Sequence, residues 1–349
     1  MKPKKIKTLL SCIAMVLVTL LLLGAAQELV TPKYMTVSRE GALISEYYRE
    51  QKAHDVLFIG DCEVYEGFTP PTLWEEYGIT SYIRGSAQQL AWHSYYLLEE
   101  ALTYETPKVV VYNVLALKYG EPQDEAYNRL TLDGMRPSSI KWQAVRASMT
   151  EDEGFASYLF PLLRFHSRIK ELTREDLTYF GNRDVISHNG YLMQTEIRGG
   201  KAEITPSPLA DYTLPATSME YLEKMRALCE EKGVELILIK APTNDWKYHW
   251  YDEWDAQISD YAAKHGLTYY NFIPLCDEIG IDWSRDTYDV GVHLNVFGAE
   301  KLTSYFGELL VRDHGITGES TTAETEAVWQ EKLTRYYAER NADETTKGD

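Results

Sequence analysis

Apolar positions along the chain fall into three patterns. The first is one unbroken block, residues 8–26, in which 19 consecutive positions carry no charge. That is about the length one helix needs to cross a bilayer. Lys2, Lys4, Lys5 and Lys7 precede the block and Glu28 follows it, so the positive flank marks the cytoplasmic side and the rest of the chain is expected outside. Residues 1–26 read as a retained membrane anchor. The alternative is a signal peptide cut at the small residues Gly24, Ala25 and Ala26. The second pattern is a set of five short apolar runs, at 55–60, 79–83, 108–114, 234–241 and 267–272, each of strand length. The third is helical spacing between those runs, as in Leu90, Tyr95, Leu97, Leu98 and Leu102, or the segment opened by Pro70 and Pro71. Strands alternating with helices, joined by right-handed crossovers, predict an α/β fold: a three-layer α/β/α flavodoxin-like sandwich on a five-stranded parallel sheet, preceded by a transmembrane helix.

The spacing also divides the chain. Residues 27–53 read as a helical lead-in, 54–316 as the α/β domain, and 317–349 as an acidic tail with one amphipathic stretch at 324–337 and a disordered end. Between the third and fourth strands lie residues 115–233, more than one crossover needs, so an insertion is expected there. Its segments 138–149 and 155–172 have helical spacing, and 190–197 alternates as a hairpin would. Such an insertion either roofs the sheet edge or packs at its side.

Chemistry concentrates at two places. In D-V-L-F-I-G-D-C-E-V-Y-E-G, residues 55–67, an apolar run stops at Gly60 and delivers Cys62 to the carboxyl end of a strand, where open α/β sheets bind ligands. In Y-D-V-G-V-H-L-N, residues 288–295, Asp289, His293 and Asn295 precede a helical stretch. A nucleophile early in the chain and a base late in it are thereby expected to meet over one sheet edge, as Cys62 and His293. Asp289, or else Asp286, would orient the imidazole. Asp61 and Glu63 flank the cysteine, and their charge would raise the pKa of its thiol. Asn113 puts an amide at the end of Val109, Val110 and Val111, either for catalysis or to cap the next turn. Asn244 and Asp245 follow the fourth strand as substrate contacts or turn residues, and Asn295 is a further candidate contact.

With these residues in place, the chain resembles the SGNH/GDSL hydrolases. Gly60-Asp61-Cys62 is similar to their Gly-Asp-Ser block, Gly85 to the glycine of the second, Asn113 to the asparagine of the third, and D-V-G-V-H-L-N to the terminal Asp-x-x-His block, all in the family's order. The layout resembles the membrane-anchored branch that moves acyl groups on cell-envelope polymers. The resemblance implies Cys62 as nucleophile, His293 as base, Asp289 as its orienting acid, and an oxyanion hole from Cys62, Gly85 and Asn113. Two departures stand out: cysteine where the family has serine, and four residues rather than three from Asp289 to His293.

The function these readings support is an extracytoplasmic acyl esterase or O-acyltransferase on envelope glycans or teichoic-type polymers, served by a membrane acyl-donor protein. The alternative is a catalytically inactive relative that binds such a polymer or a partner during envelope assembly. Four of the 35 basic residues lie in residues 1–26, which leaves 31 against 53 acidic ones, and a net charge near −22 excludes nucleic acid as a partner. Cys62, Cys229 and Cys276 lie outside the anchor, an odd number that leaves at least one thiol free. The histidines are scattered, and no metal site and no cofactor is expected. The aromatic cluster Trp246, Tyr248, His249, Trp250, Tyr251 and Trp254 either stacks on sugars or fills a core.

Overall fold

The computed structural model describes residues 3–32, 42–51, 53–178, 185–201, 208–244, 250–318 and 321–346. Five parallel strands form one sheet in the order β2-β1-β3-β4-β5, with β1 at Val56–Gly60, β2 at Ser81–Gly85, β3 at Val109–Asn113, β4 at Glu235–Lys240 and β5 at Thr268–Asn271. The order reverses between β1 and β3, so the crevice of a doubly wound sheet opens at the carboxyl ends of those two strands. Gly60 lies level with Gly85, and Asn113 with Ile239.

Each strand sends alternate side chains to opposite faces, and the two faces nucleate two cores. Val56, Phe58, Val109, Val111, Ile237 and Ile239 pack on one side with Leu302, Phe306 and Phe272. Leu57, Ile59, Val110, Tyr112, Leu236 and Leu238 pack on the other with Leu98, Leu222 and Ile258. The first face is covered by helices Pro70–Tyr77 and Val296–His314, the second by Ala91–Ala101, Ala216–Lys232 and Asp252–His265. These helices and the sheet make three layers. The helix Pro3–Val30 precedes them, and its part Lys5–Val30 is long and apolar enough to cross a membrane.

Four strands begin and end within one residue of the apolar runs. The second is displaced, from 79–83 to Ser81–Gly85. Ile79 instead closes the preceding helix, its N–H on the Leu73 carbonyl, and Thr80 receives Asp55 and Val56. Arg84 hid the true strand, because a charge reads as an end. Here the guanidinium is buried, donating to Glu100 at 2.8 Å and the Leu97 carbonyl at 3.0 Å, and lies 4.3 Å from the Tyr47 ring centroid.

The carboxyl-terminal segment is also more ordered than its composition suggests. Ala323–Thr346 is one helix, with Trp329, Leu333 and Tyr336 buried and Trp329 stacked on Trp74. Arg340 and the Tyr336 hydroxyl both bond Glu300. Within the insertion, helix Ser139–Ser148 matches its expectation, whereas 155–172 breaks at Pro161 into Phe155–Leu159, Leu162–Phe165 and the 3₁₀ turn His166–Lys170. The stretch 190–197 forms no hairpin and carries only the bridge of Tyr191 to His188. It runs instead as a strap along the sheet edge. Asn189 accepts from Ile83, Leu192 donates to Tyr65, Gln194 accepts from Val296, and Arg198 donates to Thr287. Gly190 has φ +85°, and a Cβ there would collide with the Ile83 carbonyl, so only glycine lets the strap lie on β2.

One carboxylate gathers several bonds from the end of the lead-in. Glu105 accepts from the Tyr47 hydroxyl at 2.6 Å and the backbone N–H of Ala53 and His54 at 3.0 and 2.9 Å, and meets the His54 ring at 2.9 Å. Burial alone would raise its pKa, but these donors hold it down at about 2. Folding therefore gains from the ionised form above the unfolded pKa near 4.5, and that gain fades as pH falls towards 2. Glu105→Gln is expected to cost about 2–3 kcal/mol at pH 7. In urea unfolding of the detergent-solubilised chain, the deficit should shrink near pH 3. An equal deficit at both pH values would mean that shape, not charge, is what Glu105 contributes.

Candidate active site

Strand β1 ends at Gly60, where a Cβ would meet Val64 at 2.5 Å, so glycine lets the chain turn directly into the short helix Cys62–Tyr65. Asp61 caps that turn, its Oδ1 accepting the Glu63 N–H. Cys62 is the first helical residue, and its N–H has no carbonyl of the same helix to bond. From the far end of the sequence, His293 arrives with Nε2 3.0 Å from Cys62 Sγ. Its Nδ1 lies 2.6 Å from Asp289 Oδ2, and its backbone N–H donates to Asp289 Oδ1 at 2.8 Å. Cys62, His293 and Asp289 thus form one hydrogen-bonded chain. Asp286 is turned away, buried and paired with Lys301.

The four-residue spacing from Asp289 to His293 is absorbed in the backbone. Val290 and Gly291 have φ of 68° and 94°, and this left-handed pair folds the loop back so that one carboxylate reaches both the N–H and the ring of His293. For a β-branched residue that conformation is costly. Neighbouring segments hold it in place: Val290 donates to Arg198, Gly291 to the Thr287 hydroxyl, and the Gly291 carbonyl accepts from Asn244 and Thr243.

Beneath the nucleophile lies a buried polar network. Lys240, fully buried at the end of β4, donates to both Glu63 oxygens at 2.8 Å and to the Ala241 carbonyl at 2.7 Å. Asn113 gives its amide to Glu63 at 2.9 Å and Asp61 at 3.2 Å, and its oxygen accepts the Ala241 N–H. Its N–H groups are thereby committed, which corrects the expected oxyanion role. Asn113 instead ties β3 to the nucleophile turn and β4. Gly85 lies level with Gly60, where a Cβ would come within 3.0–3.1 Å of the Gly60 carbonyl and the Tyr65 side chain, so glycine seats the nucleophile turn against β2.

The other candidate contacts are structural. Asn295 is buried and caps helix Val296–His314, accepting from Phe297 and Gly298 and donating to the carbonyls of Glu196, Arg285 and Thr287. No donor is left for a substrate. Asn244 braces the catalytic loop, its amide on the Gly200 carbonyl. Trp250 and Trp254 are buried in the second core and Tyr251 packs against it, so they do not form a sugar platform, while Asp245, Trp246, Tyr248 and His249 lie outside the described residues. Among the described residues no disulfide forms, and Cys229 is buried in the second core.

Four neighbours of the site were not read from the sequence. Lys240 was signalled only by a charge closing the apolar run I-L-I-K. Tyr288 stacks on His293, ring planes 19° apart, and its hydroxyl donates to the buried Glu66, which also accepts from Gln194. Lys118, on the turn after β3, has its pKa lowered by burial against the opposing pull of Glu63, Asp61 and Cys62.

Acids therefore crowd the thiol. Burial pushes Cys62 up to about 11, with Asp61 and Glu66 adding to the rise and His293 opposing it. Asp61 itself is raised to about 6 by burial and by Glu63. Burial opposes charge on His293, but the Cys62 sulfur, Asp289 and Glu66 raise it. At neutral pH Cys62 is therefore a thiol held against the His293 imidazole, and ionising it there would call for a base.

No family model and no curated relative matches the sequence. Among solved structures, the chain is similar to a "putative acylhydrolase" from Bacteroides fragilis NCTC 9343, at 10% identity and a TM-score of 0.38, over 81% of this chain and 99% of that one. At that level the fold stands on this chain's own topology.

Two predictions follow from the electrostatics. Alkylation of Cys62 by iodoacetamide, followed by peptide mass spectrometry, should still accelerate at about pH 10. Glu66→Gln should lower the midpoint by removing a negative neighbour, and His293→Ala should raise it. A plateau below about pH 8 in the wild type would establish a thiolate–imidazolium pair instead. Lys240→Met should cost about 3–5 kcal/mol by stranding Glu63, and Lys240→Met with Glu63→Leu should recover most of it. A double variant no more stable than the single one would show that Lys240 is not there to neutralise Glu63.

Proposed function

We propose that the protein is an acyl esterase or O-acyltransferase, held at the outer face of the membrane by its apolar helix and acting on hydroxyl-bearing envelope polymers. The observation that carries this reading is the Cys62–His293–Asp289 chain, at 3.0 and 2.6 Å, over the carboxyl end of β1 at the switch point of the sheet.

In this reading Nε2 of His293 removes the thiol proton as Sγ attacks the acyl carbonyl. The new C–S bond leaves an oxyanion facing the Cys62 N–H, with Gly85 as the second donor. The imidazolium, steadied by Asp289, then protonates the departing alkoxide, and a thioester remains on Cys62. Water or an acceptor hydroxyl, deprotonated by the same nitrogen, attacks the thioester, and the expelled sulfur recovers its proton. Transfer dominates where the acceptor displaces water. A neutral resting thiol suits this mechanism, since serine and cysteine would both rely on His293 rather than on prior ionisation.

The test uses the full chain in detergent with an aryl acetate. Intact-protein mass spectrometry should find an acetyl group on Cys62, and His293→Ala should slow its formation about 10²–10⁴-fold. Cys62→Ser should retain or gain aryl-ester hydrolysis. A folded Cys form without adduct and a folded Ser form without hydrolysis would favour the inactive, polymer-binding alternative.

A further inference from the structure

Outside the anchor, eight aliphatic or phenylalanine side chains are exposed among the described residues, and five of them fall within residues 159–177: Leu159, Phe160, Leu163, Ile169 and Leu177, at 42–61% exposure. Such crowding on a soluble surface marks a contact. Arg164, Arg168, Lys170 and Arg174 are interleaved with them and outnumber Glu171, Glu175 and Asp176 by one, in a chain whose net charge is −18. Short helices with apolar and basic residues interleaved suit an anionic lipid interface.

The position of this stretch argues for the same partner. Leu162–Phe165, His166–Lys170 and Arg174–Thr178 all pack against helix Pro3–Val30. Arg168 donates to the Val30 carbonyl at 2.8 Å and to Asp176 at 3.0 Å, and Val30 is buried with Leu130 and Phe165. The end of the apolar helix is therefore packed against the domain. From Leu23, still exposed, to buried Val30 is seven residues, about 10 Å along a helix. That is close to the depth of one headgroup layer, about 5–10 Å. A cleft opens beside the same helical turns, lined by Gly24, Gln27, Arg49, Arg136 and Lys141.

We propose that residues 155–178 seat the domain on the outer leaflet of the bilayer crossed by the N-terminal helix. Their apolar side chains enter the acyl boundary, and Lys170 meets lipid phosphates, while Arg164 is paired with Glu125 at 2.9 Å. The inference rests on the reading of that helix as a retained anchor, and the test separates the two.

The full chain is reconstituted into vesicles of phosphatidylglycerol and phosphatidylcholine carrying a phospholipid with a diazirine on its acyl chain. After photolysis, lipid adducts are mapped by peptide mass spectrometry. Adducts are expected on residues 5–26 and again on 155–178. Replacing Leu159, Leu163, Ile169 and Leu177 together by Ser should cut the second set at least tenfold and spare the first. All four are exposed, and an unchanged melting temperature would verify the fold. Adducts confined to the anchor, or cross-links between copies at 155–178 in their place, would overturn the proposal. If intact mass shows cleavage after residues 24–26, the anchor reading fails by itself. The cleaved chain is then spun with the same vesicles: pelleting supports seating, and remaining in the supernatant overturns it.

Discussion

The site rests on a buried charge that has to be neutralised. Lys240 sits at the end of a central strand with no exposure, and an ammonium there is tolerable only if carboxylate and carbonyl oxygens replace its water. Glu63 supplies both oxygens and so fixes the turn that carries Cys62. Asn113 completes the set by bridging Glu63 to Asp61 while accepting from Ala241. Three strand tips are thereby tied to one turn, and the position of the sulfur follows from the satisfaction of these groups.

That solution has a chemical consequence. Burial is the main obstacle to a thiolate at Cys62, and Asp61, drawn in with the acids that neutralise one lysine, adds to it together with Glu66. Cysteine proteins that depend on an ion pair arrange the opposite field, with positive groups or helix termini around the sulfur. Here burial, Asp61 and Glu66 disfavour the thiolate, and only His293 opposes them. In the proposed reaction the histidine geometry, 3.0 Å to sulfur and 2.6 Å to Asp289, suits a base that acts only when the acyl group arrives.

Much of the scaffold was legible because strands in a parallel sheet are buried on both faces and read as unbroken apolar runs. β2 was misplaced by Arg84, whose burial depends on Glu100, a partner one helix away. Cys62 was legible as a residue type at a strand end, and His293 and Asp289 as residue types on a loop before a helix. Asn113 and Asn295 show where such reading stops. An amide at a strand tip or helix start looks the same in sequence whether its N–H groups face solvent or are spent on neighbours, and here they are spent. The terminal helix extends past what its composition shows: 324–337 reads as amphipathic and carries the seam of Trp329, Leu333 and Tyr336, while the polar residues that follow continue the same helix to Thr346.

The loop of Asp289 and His293 shows how the insertion enters the chemistry. A valine at φ 68° costs about 1–3 kcal/mol, and such a conformation persists only where its surroundings over-determine it. Part of that restraint is local, from Thr287, and part comes from the end of β4, through Thr243 and Asn244. The remainder comes from Arg198, on the strap that leaves the insertion and also bonds β2, the nucleophile turn and the start of helix Val296–His314. The strap therefore touches each segment that delivers a member of the Cys62–His293–Asp289 chain, and it holds the strained residue between two of them. An insertion that merely packed beside the sheet would not need these bonds. Removing it would release the one conformation in which a four-residue spacing lets Asp289 reach both nitrogen positions of His293.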